Sequence, residues 1–190
     1  MKATIILAHP WHGSFNKSIT DTVVLSYQQK NKEYQIIDLN KDNFDPVLRE
    51  SELALYSKGG HKDVNVKKYQ DMLKESDELV FIFPIWWYSL PAILKGFLDK
   101  VMLRNFAYSE EKYRLKGLLD NIKKTVVITT SQAPTWYLKF IVGNPIQRTF
   151  IGGTLKSVGL KNVKWLNNDY TTTGTDKSRK QFLEKVSKYI

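Results

Sequence analysis

Three short segments of the chain combine side chains that can bind phosphate with side chains that can stack on a planar ring. They are HPWHGSFN (His9–Asn16), PIWWY (Pro84–Tyr88) and TTSQAPTWY (Thr129–Tyr137). Serine, threonine and asparagine side chains hydrogen-bond to phosphate and hydroxyl groups, whereas tryptophan and tyrosine offer broad apolar faces. If the three segments meet in space, they could hold a planar aromatic compound that carries an anionic tail.

Each segment lies at the end of a short apolar run that favours a β-strand, and the third segment includes the last two residues of its run. The runs are Lys2–Ala8, Glu78–Phe83 and Thr125–Thr130, and their composition is typical of strands that are buried on both faces. Pro84 lacks an N–H group and is expected to end the second strand. In open α/β sheets, ligands bind at the carboxyl ends of the strands. The sequence therefore predicts one crevice where the three segments converge.

The helices that follow two of these segments also bear on ligand binding. Ser14 is placed to cap a helix, and the free N–H groups and the dipole of a helix N-terminus favour a phosphate. The segment matches neither a Walker loop nor GxGxxG. Pro91 is typical of the first turn of a second helix. The predicted inward faces are Phe15, Ile19, Val23 and Tyr27 in the first helix, and Ile93, Leu94, Phe97, Leu98, Val101 and Met102 in the second.

The rest of the chain continues the alternation of strands and helices. The sequence predicts strands at Tyr34–Leu39 and Asn162–Asn167. It also predicts a short helix at Ser51–Ser57, a helix through Val66, Tyr69 and Leu73, and a helix that begins at Asn144 and Pro145. The closing helix has an apolar stripe formed by Phe182, Leu183, Val186, Tyr189 and Ile190. Arg104–Leu118 reads as a long polar loop, typical of a functional or interface element. This alternation favours one three-layer α/β sandwich over residues 1–190, with a five-stranded parallel sheet in the order 2-1-3-4-5.

Composition excludes several other classes of protein. The chain has no cysteine and only three histidines, so we expect no disulfide, no thiolate chemistry and no protein-built metal site. No run approaches the length of a membrane span and no signal peptide opens the chain, which favours the cytoplasm. The formal net charge of +10 would suit a polyanion. However, the lysines are scattered, which favours a solvated surface over nucleic-acid binding.

A flavin nucleotide fits the three segments best, and the same residues carry a family resemblance. AHPWHGSFN (Ala8–Asn16), FPIWWYSLPAILKGFLDKV (Phe83–Val101) and FAY (Phe106–Tyr108) resemble motifs of the NAD(P)H:quinone oxidoreductases, the DT-diaphorase family of flavodoxin-like flavoproteins. The resemblance runs in order over most of the chain, and the block P-x-x-W-x-x-x-P-A-x-L-K-G-F is its most specific part.

This resemblance implies a two-electron reductase in which NAD(P)H passes a hydride to flavin N5 and a quinone or similar electrophile then takes it. It also implies a homodimer, with Tyr108 reaching the ring from the partner subunit, and Tyr137 donating to the flavin O2 side. Trp87, Tyr88, Tyr108 and Tyr137 would contact the substrate. The residues expected to hold the cofactor are His9, Ser14, Phe15 and Asn16 for the phosphate and ribityl chain, Pro84, Ile85, Trp86, Trp87 and Tyr88 along the ring, and Thr129, Thr130 and Ser131 at the pyrimidine edge.

The chain departs from the family pattern in three places. Ser131 and Gln132 stand where relatives often have two glycines, and Gly143 stands where mammalian relatives pair a histidine with the tyrosine. The long carboxyl-terminal extension that contacts the dinucleotide part of FAD is missing, which favours FMN over FAD. Two other readings stay open: a flavodoxin-type carrier of single electrons, and a regulatory flavoprotein subunit of a membrane transporter.

Overall fold

A five-stranded parallel sheet forms the centre of the molecule. The computed structural model describes residues 1–190. The strands of the sheet are β1 (Lys2–Leu7), β2 (Glu33–Asp38), β3 (Glu78–Pro84), β6 (Lys124–Thr130) and β7 (Val163–Asn168), and two further strands, β4 (Tyr108–Glu111) and β5 (Arg114–Gly117), pair apart from it. The spatial order is β2-β1-β3-β6-β7, with every neighbouring pair parallel. Counted within the sheet alone, this is the predicted order 2-1-3-4-5.

Helices cover both faces of the sheet. They are α1 (Phe15–Gln29), α2 (Glu50–Tyr56), α3 (Val64–Lys74), α4 (Ala92–Val101), α5 (Thr135–Phe140), a π-helix (Ile146–Leu155) and α6 (Asp176–Tyr189). Every helix is too short or too polar to cross a lipid bilayer. As predicted, Ser14 caps α1, because its side-chain oxygen accepts a hydrogen bond from the N–H group of Lys17 at 3.2 Å.

Two apolar clusters, one on each face, show why the strand runs are continuously hydrophobic. Successive side chains of a strand point to opposite faces, so Val80 and Phe81 enter different clusters. One cluster joins the sheet to α1 and α6 through Val23 and Val186, and the other joins it to α3, α4 and the π-helix. All seven residues of β3 are buried, so the predicted three layers are confirmed.

The prediction of a long loop at Arg104–Leu118 is wrong, because this segment contains the β4–β5 hairpin. Tyr108 pairs with Gly117, and Glu111 pairs with Arg114. Phe106 is only 8% exposed and anchors the hairpin in the core. The exposed strands alternate poorly between apolar and polar residues, so they lack the pattern that identifies a half-buried strand.

Several boundaries also differ from the sequence predictions. Pro84 is the last residue of β3 rather than the first beyond it, since its missing N–H group is not needed at the strand's end. Pro91 occupies the N-cap of α4 with extended backbone (ψ 145°), one residue before the first turn. Asn144 does not cap the next helix with its side chain: it has a φ of 56°, and its Oδ1 atom has no partner.

Two local conformations were not foreseen. The helix after Pro145 is a π-helix, and its wide turns bring the Lys156 N–H group to the carbonyl of Ile151, five residues earlier. The Gly152–Gly153 pair lowers the steric demand within these turns. The segment after Ala133, predicted as loop, forms α5 and therefore places Tyr137 on a helix.

Candidate functional site

The three predicted segments meet at the carboxyl edge of the sheet and enclose a cleft of about 840 Å³. The cleft lies over β1, β3 and β6, where the chain order reverses between neighbouring strands. The residues that line it are His9, Trp11, Gly13, Ser14, Phe15, Asn16 and Ser18 from the first segment and α1, Pro84, Ile85 and Trp86 from the second, Thr130, Ser131 and Gln132 from the third, and Thr171, Thr172 and Arg179 from the loop and helix after β7.

The N-terminus of α1 forms one end of this cleft. Neither the Phe15 nor the Asn16 main-chain N–H group donates a hydrogen bond within the protein. Both residues line the cleft, so two free donors and the positive end of the helix dipole face the same space. This arrangement suits a phosphate group.

Asn16 contributes a second unsatisfied group. Its side chain is 3% exposed, and its Nδ2 atom donates to Thr130 Oγ1 at 3.0 Å. This bond links α1 to the end of β6 and fixes the orientation of the amide. Its Oδ1 atom is buried without a partner, although buried acceptors normally have one. An acceptor held in this way suits a ligand that brings a hydroxyl group.

His9 lies two residues beyond the end of β1. Its Nδ1 atom lies 3.1 Å from the Trp11 nitrogen, from which it can accept a hydrogen bond, and 3.2 Å from the Trp11 carbonyl oxygen, to which it can donate one. In the tautomer that accepts, the ring proton resides on Nε2. Burial is the main cause that lowers the pKa of His9 below its ordinary value of 6.5; the hydrogen bond with the Trp11 backbone partly opposes this effect, and nearby His12 adds slightly to it. The ring also lies 5.9 Å from the ring of Trp86, which brings the first and second segments together.

The second segment folds as a tight turn with unusual backbone angles. The N–H group of Trp86 donates to the carbonyl of Ser89 at 3.2 Å, and the N–H group of Ser89 donates back at 2.9 Å. Trp87 and Tyr88, between them, have φ values of 49° and 60°. Positive φ at both central positions defines a type I′ turn, which normally favours asparagine and glycine. Here the strained positions carry two aromatic side chains.

Five of the predicted site residues, Trp87, Tyr88, Tyr108, Thr129 and Tyr137, do not line the cleft of their own chain. Trp87 is 96% exposed and projects from the turn. Tyr88 and Tyr137 lie beside the cleft with ring centres 6.5 Å apart. Tyr108 is in the β4–β5 hairpin and interacts with Tyr56. Thr129 is fully buried, and its hydroxyl donates to Asn167 Oδ1 at 2.7 Å, so its side chain is not available to a ligand.

The structure adds residues that sequence reasoning missed. Trp11 lies over the Gly13 backbone, where an added Cβ would come within 2.4 Å of the indole. Thr171, Thr172 and Arg179 form the opposite wall. Arg179 reaches the cleft because α6 packs against α1, where the rings of Phe15 and Phe182 lie 6.3 Å apart. Trp11 belongs to the first segment, whereas nothing in the sequence around Thr171, Thr172 and Arg179 marks them as part of the site.

The groups in the cleft fit a flavin nucleotide. Free N–H groups, His9 and Arg179 can meet a phosphate, and the orphaned Asn16 oxygen can accept from a ribityl hydroxyl. Trp86 and the neighbouring turn supply a flat apolar border for a ring system. The sheet order and this cleft together define a nucleotide-binding protein of the flavodoxin-like class.

Comparison with known proteins identifies the family to which the chain belongs. A family characterised by its flavodoxin-like fold matches residues 1–190. A Haemophilus influenzae protein named "Uncharacterized NAD(P)H oxidoreductase" is 30% identical, over 97% of this chain and 91% of its own length. NAD(P)H dehydrogenase [quinone] 1 of Cavia porcellus is 32% identical, over 84% of this chain and 65% of its own length. The solved NAD(P)H:quinone oxidoreductase of Methanothermobacter marburgensis is 26% identical, with a TM-score of 0.88 over 99% of this chain and 96% of that one.

The chain belongs to this flavodoxin-like family, and its relatives bear the names of NAD(P)H oxidoreductases and quinone dehydrogenases. The family resemblance of the sequence motifs is therefore confirmed. The roles of the individual site residues remain predictions.

Proposed function

We propose that this protein is an FMN-dependent NAD(P)H oxidoreductase that reduces quinones or similar small electrophiles. The observation that carries the proposal is the convergence of three features in one cleft: free N–H groups at the start of α1, an unsatisfied oxygen on Asn16, and an aromatic turn. A phosphate, a polyol chain and a planar ring require these three environments side by side.

The first segment and α1 hold the phosphate-bearing chain of the cofactor. The N–H groups of Phe15 and Asn16 donate to the phosphate, and Ser14 and His9 lie beside them. In this proposal the Nδ1 atom of His9 accepts from the N–H group of Trp11, which leaves its Nε2–H group free to donate. Asn16 accepts from the ribityl chain through Oδ1.

The second and third segments border the ring. Pro84, Ile85 and Trp86 form one side, with Thr130 and Ser131 at the pyrimidine edge. The bound flavin supplies the hydride chemistry, and the protein supplies orientation and electrostatics. Trp87 and Tyr88 offer the faces on which a nicotinamide or quinone ring stacks. The Tyr137 hydroxyl donates a hydrogen bond at the O2 side, where negative charge develops on reduction.

A homodimer would complete the site. Tyr108 does not line the cleft of its own chain, and the residues around the turn leave large apolar side chains in solvent. Trp87 is 96% exposed, Phe140 is 79% exposed and Ile141 is 62% exposed. A second copy that covers this surface would remove the apolar groups from water and would bring its own hairpin to the edge of the cleft.

The proposal is tested by adding FMN to the purified protein and following the quenching of flavin fluorescence. Stopped-flow mixing of the complex with NADPH, and then with a quinone, should give rapid loss and rapid recovery of the oxidised flavin absorbance. A slow first step would instead indicate a single-electron carrier. Tyr137→Phe should slow the first step by about 10-fold, as expected for the loss of one transition-state hydrogen bond.

Tyr189→Phe is the matched control, because Tyr189 is the last residue of α6, does not line the cleft and is not part of the hairpin. It should leave the rate of flavin reduction unchanged. An unchanged rate in Tyr137→Phe would remove Tyr137 from its role, whereas failure of the wild-type protein to bind any flavin would refute the proposed function as a whole.

A further inference from the structure

The side chain of Gln132 joins two loops that face each other across the end of the cleft. Its Oε1 atom accepts hydrogen bonds from the Thr172 hydroxyl at 2.5 Å and from the Thr172 N–H group at 3.3 Å. Its Nε2 atom donates to the Thr173 hydroxyl at 2.8 Å. Both ends of the amide are therefore engaged, and only an amide side chain could satisfy all three partners at once.

These bonds extend the pairing of β6 and β7 beyond the sheet. The N–H group of Ser131 donates to the carbonyl of Asn168 at 2.8 Å, and the N–H group of Thr171 donates to the carbonyl of Ser131 at 3.1 Å. Gln132 comes next in this ladder, where backbone pairing stops and side-chain bonds take over. The loop after β7 is therefore fixed against the third segment at successive positions.

Arg179 of α6 is the only permanently charged residue that lines the cleft, and it is hydrogen-bonded to this loop. Arg179 Nη1 donates to the carbonyl of Thr171 at 3.0 Å, and Nη2 donates to Asp176 at 2.8 Å. Arg179 would have many rotamers if these bonds were absent. The position of its guanidinium group in the cleft thus depends on where the backbone of Thr171 lies. Thr171 bonds directly to Ser131 and Asn168, and Gln132 adds a restraint through the next residue, Thr172.

We propose that Gln132 is a positioning residue for anion binding: it holds the loop after β7 so that Arg179 presents its charge to the phosphate of the cofactor. This inference rests on the proposed function, because it takes a flavin phosphate as the anion. Gln132 itself does not contact the phosphate in this scheme. It acts through Thr172, Thr171 and Arg179.

The test compares two flavins that differ only in the phosphate. Gln132→Met keeps the length of the side chain and removes all three hydrogen bonds, and its dissociation constants for FMN and riboflavin are measured by fluorescence quenching. We expect FMN to bind about 10-fold more weakly, the loss of about one charge-assisted hydrogen bond, while riboflavin binds as it does to the wild-type protein. Thr173→Val, which removes only the Nε2 partner, should show a smaller loss in the same direction.

A double-mutant cycle establishes whether the effect passes through Arg179. In an Arg179→Met background, Gln132→Met should cause no further loss of FMN affinity, because interacting residues are not additive. Gln181→Met is the control, since Gln181 is an exposed residue of α6 that does not line the cleft. It should change neither dissociation constant, and thermal melts of each variant confirm that it folds.

Three results would overturn the inference: unchanged FMN affinity in Gln132→Met, equal losses for FMN and riboflavin, or a full loss that persists without Arg179. Each of these leaves the proposed function standing, because the wild-type protein still binds flavin. A wild-type protein that binds neither flavin would instead refute the proposed function and this inference together.

Discussion

Replacing Trp87 by asparagine should stabilise the protein while it damages the substrate side of the site. Trp87 has a φ of 49°, in the left-handed region, and its side chain is 96% exposed. The left-handed conformation costs an ordinary L-residue about 1–2 kcal/mol, whereas asparagine adopts it more readily. Because the indole is almost wholly in solvent within one subunit, its removal sacrifices little buried area inside that subunit. The backbone effect should therefore dominate.

The magnitude follows from these two observations. Relief of most of the strain gives a gain of about 1 kcal/mol in the free energy of unfolding, and asparagine avoids the extra unfolded-state entropy that glycine would bring. For a chain of 190 residues, this gain corresponds to a rise of about 2–4 °C in melting temperature. With an m value of about 2.5 kcal/mol/M, it corresponds to a rise of about 0.4 M in the urea midpoint.

The assay is urea denaturation of the flavin-free protein, followed by fluorescence and circular dichroism at two protein concentrations. Trp136→Asn is the control, because Trp136 is 59% exposed but lies in α5 with helical backbone angles. It should not raise the midpoint. If Trp87→Asn raises it no more than Trp136→Asn does, the turn stores no strain. Loss of the stacking face should also raise the KM for quinone several-fold, since aromatic pairs contribute about 0.5–1.5 kcal/mol.

Two further predictions concern groups with unusual surroundings. Burial lowers the pKa of His9 below 6.5, so on acidification the unfolded chain takes up a proton more readily than the folded chain does. The free energy of unfolding should therefore fall as the pH drops from about 7.5 to about 5.5. The urea midpoint of His9→Gln should fall less over the same range, and an equal fall would contradict this role of His9. Lys100 is 3% exposed and lies 3.2 Å from Glu52 and 3.1 Å from Asp63. Lys100→Met should therefore destabilise the protein by about 3–5 kcal/mol, because it leaves the buried carboxylate of Glu52 and the half-buried one of Asp63 without their cation. Lys95→Met, at an exposed ion pair, should cost less than about 0.5 kcal/mol. Urea denaturation measures both variants, and equal losses would refute the argument from burial.

Most of the fold could be predicted from the sequence because its signals are local. Glu78–Pro84 is a buried strand of ordinary composition, and the Ser14 cap follows a known rule. The β4–β5 hairpin could not be predicted in this way, since its strands are exposed and polar and its pairing is fixed by the packing of Phe106 beneath it. The π-helix has the same apolar spacing as an α-helix, so hydrophobic periodicity did not distinguish the two.

The site divides along the same line. The residues of the first and second segments could be found because they follow strands directly, whereas Arg179 enters the cleft through the packing of α6 on α1. Thr129 was placed in the site by its position in the motif, but the alternation of side chains along β6 sends it away from the cleft and Thr130 towards it. The motif therefore identifies the end of the strand as part of the site, and the alternation of side chains along the strand determines which residue faces the ligand.

Three energetically costly features, an unsatisfied amide, free helix N–H groups and a strained turn, lie together at the carboxyl edge of the sheet. Their combination indicates a binding site more strongly than any one of them alone. Asn16 is one of five residues with a buried side-chain atom that lacks a partner, and the other four lie outside the cleft, so an orphaned atom alone does not mark a site. Five of the eight non-glycine residues with positive φ are asparagines, and Trp87 and Tyr88 form the only adjacent pair. Each of these features lowers the stability of the folded protein. Such destabilising features are typically found together at functional sites, where a bound ligand offsets them. Binding of a flavin should therefore raise the melting temperature of the wild-type protein, because the ligand satisfies in the folded state groups that the apoprotein leaves unpaired.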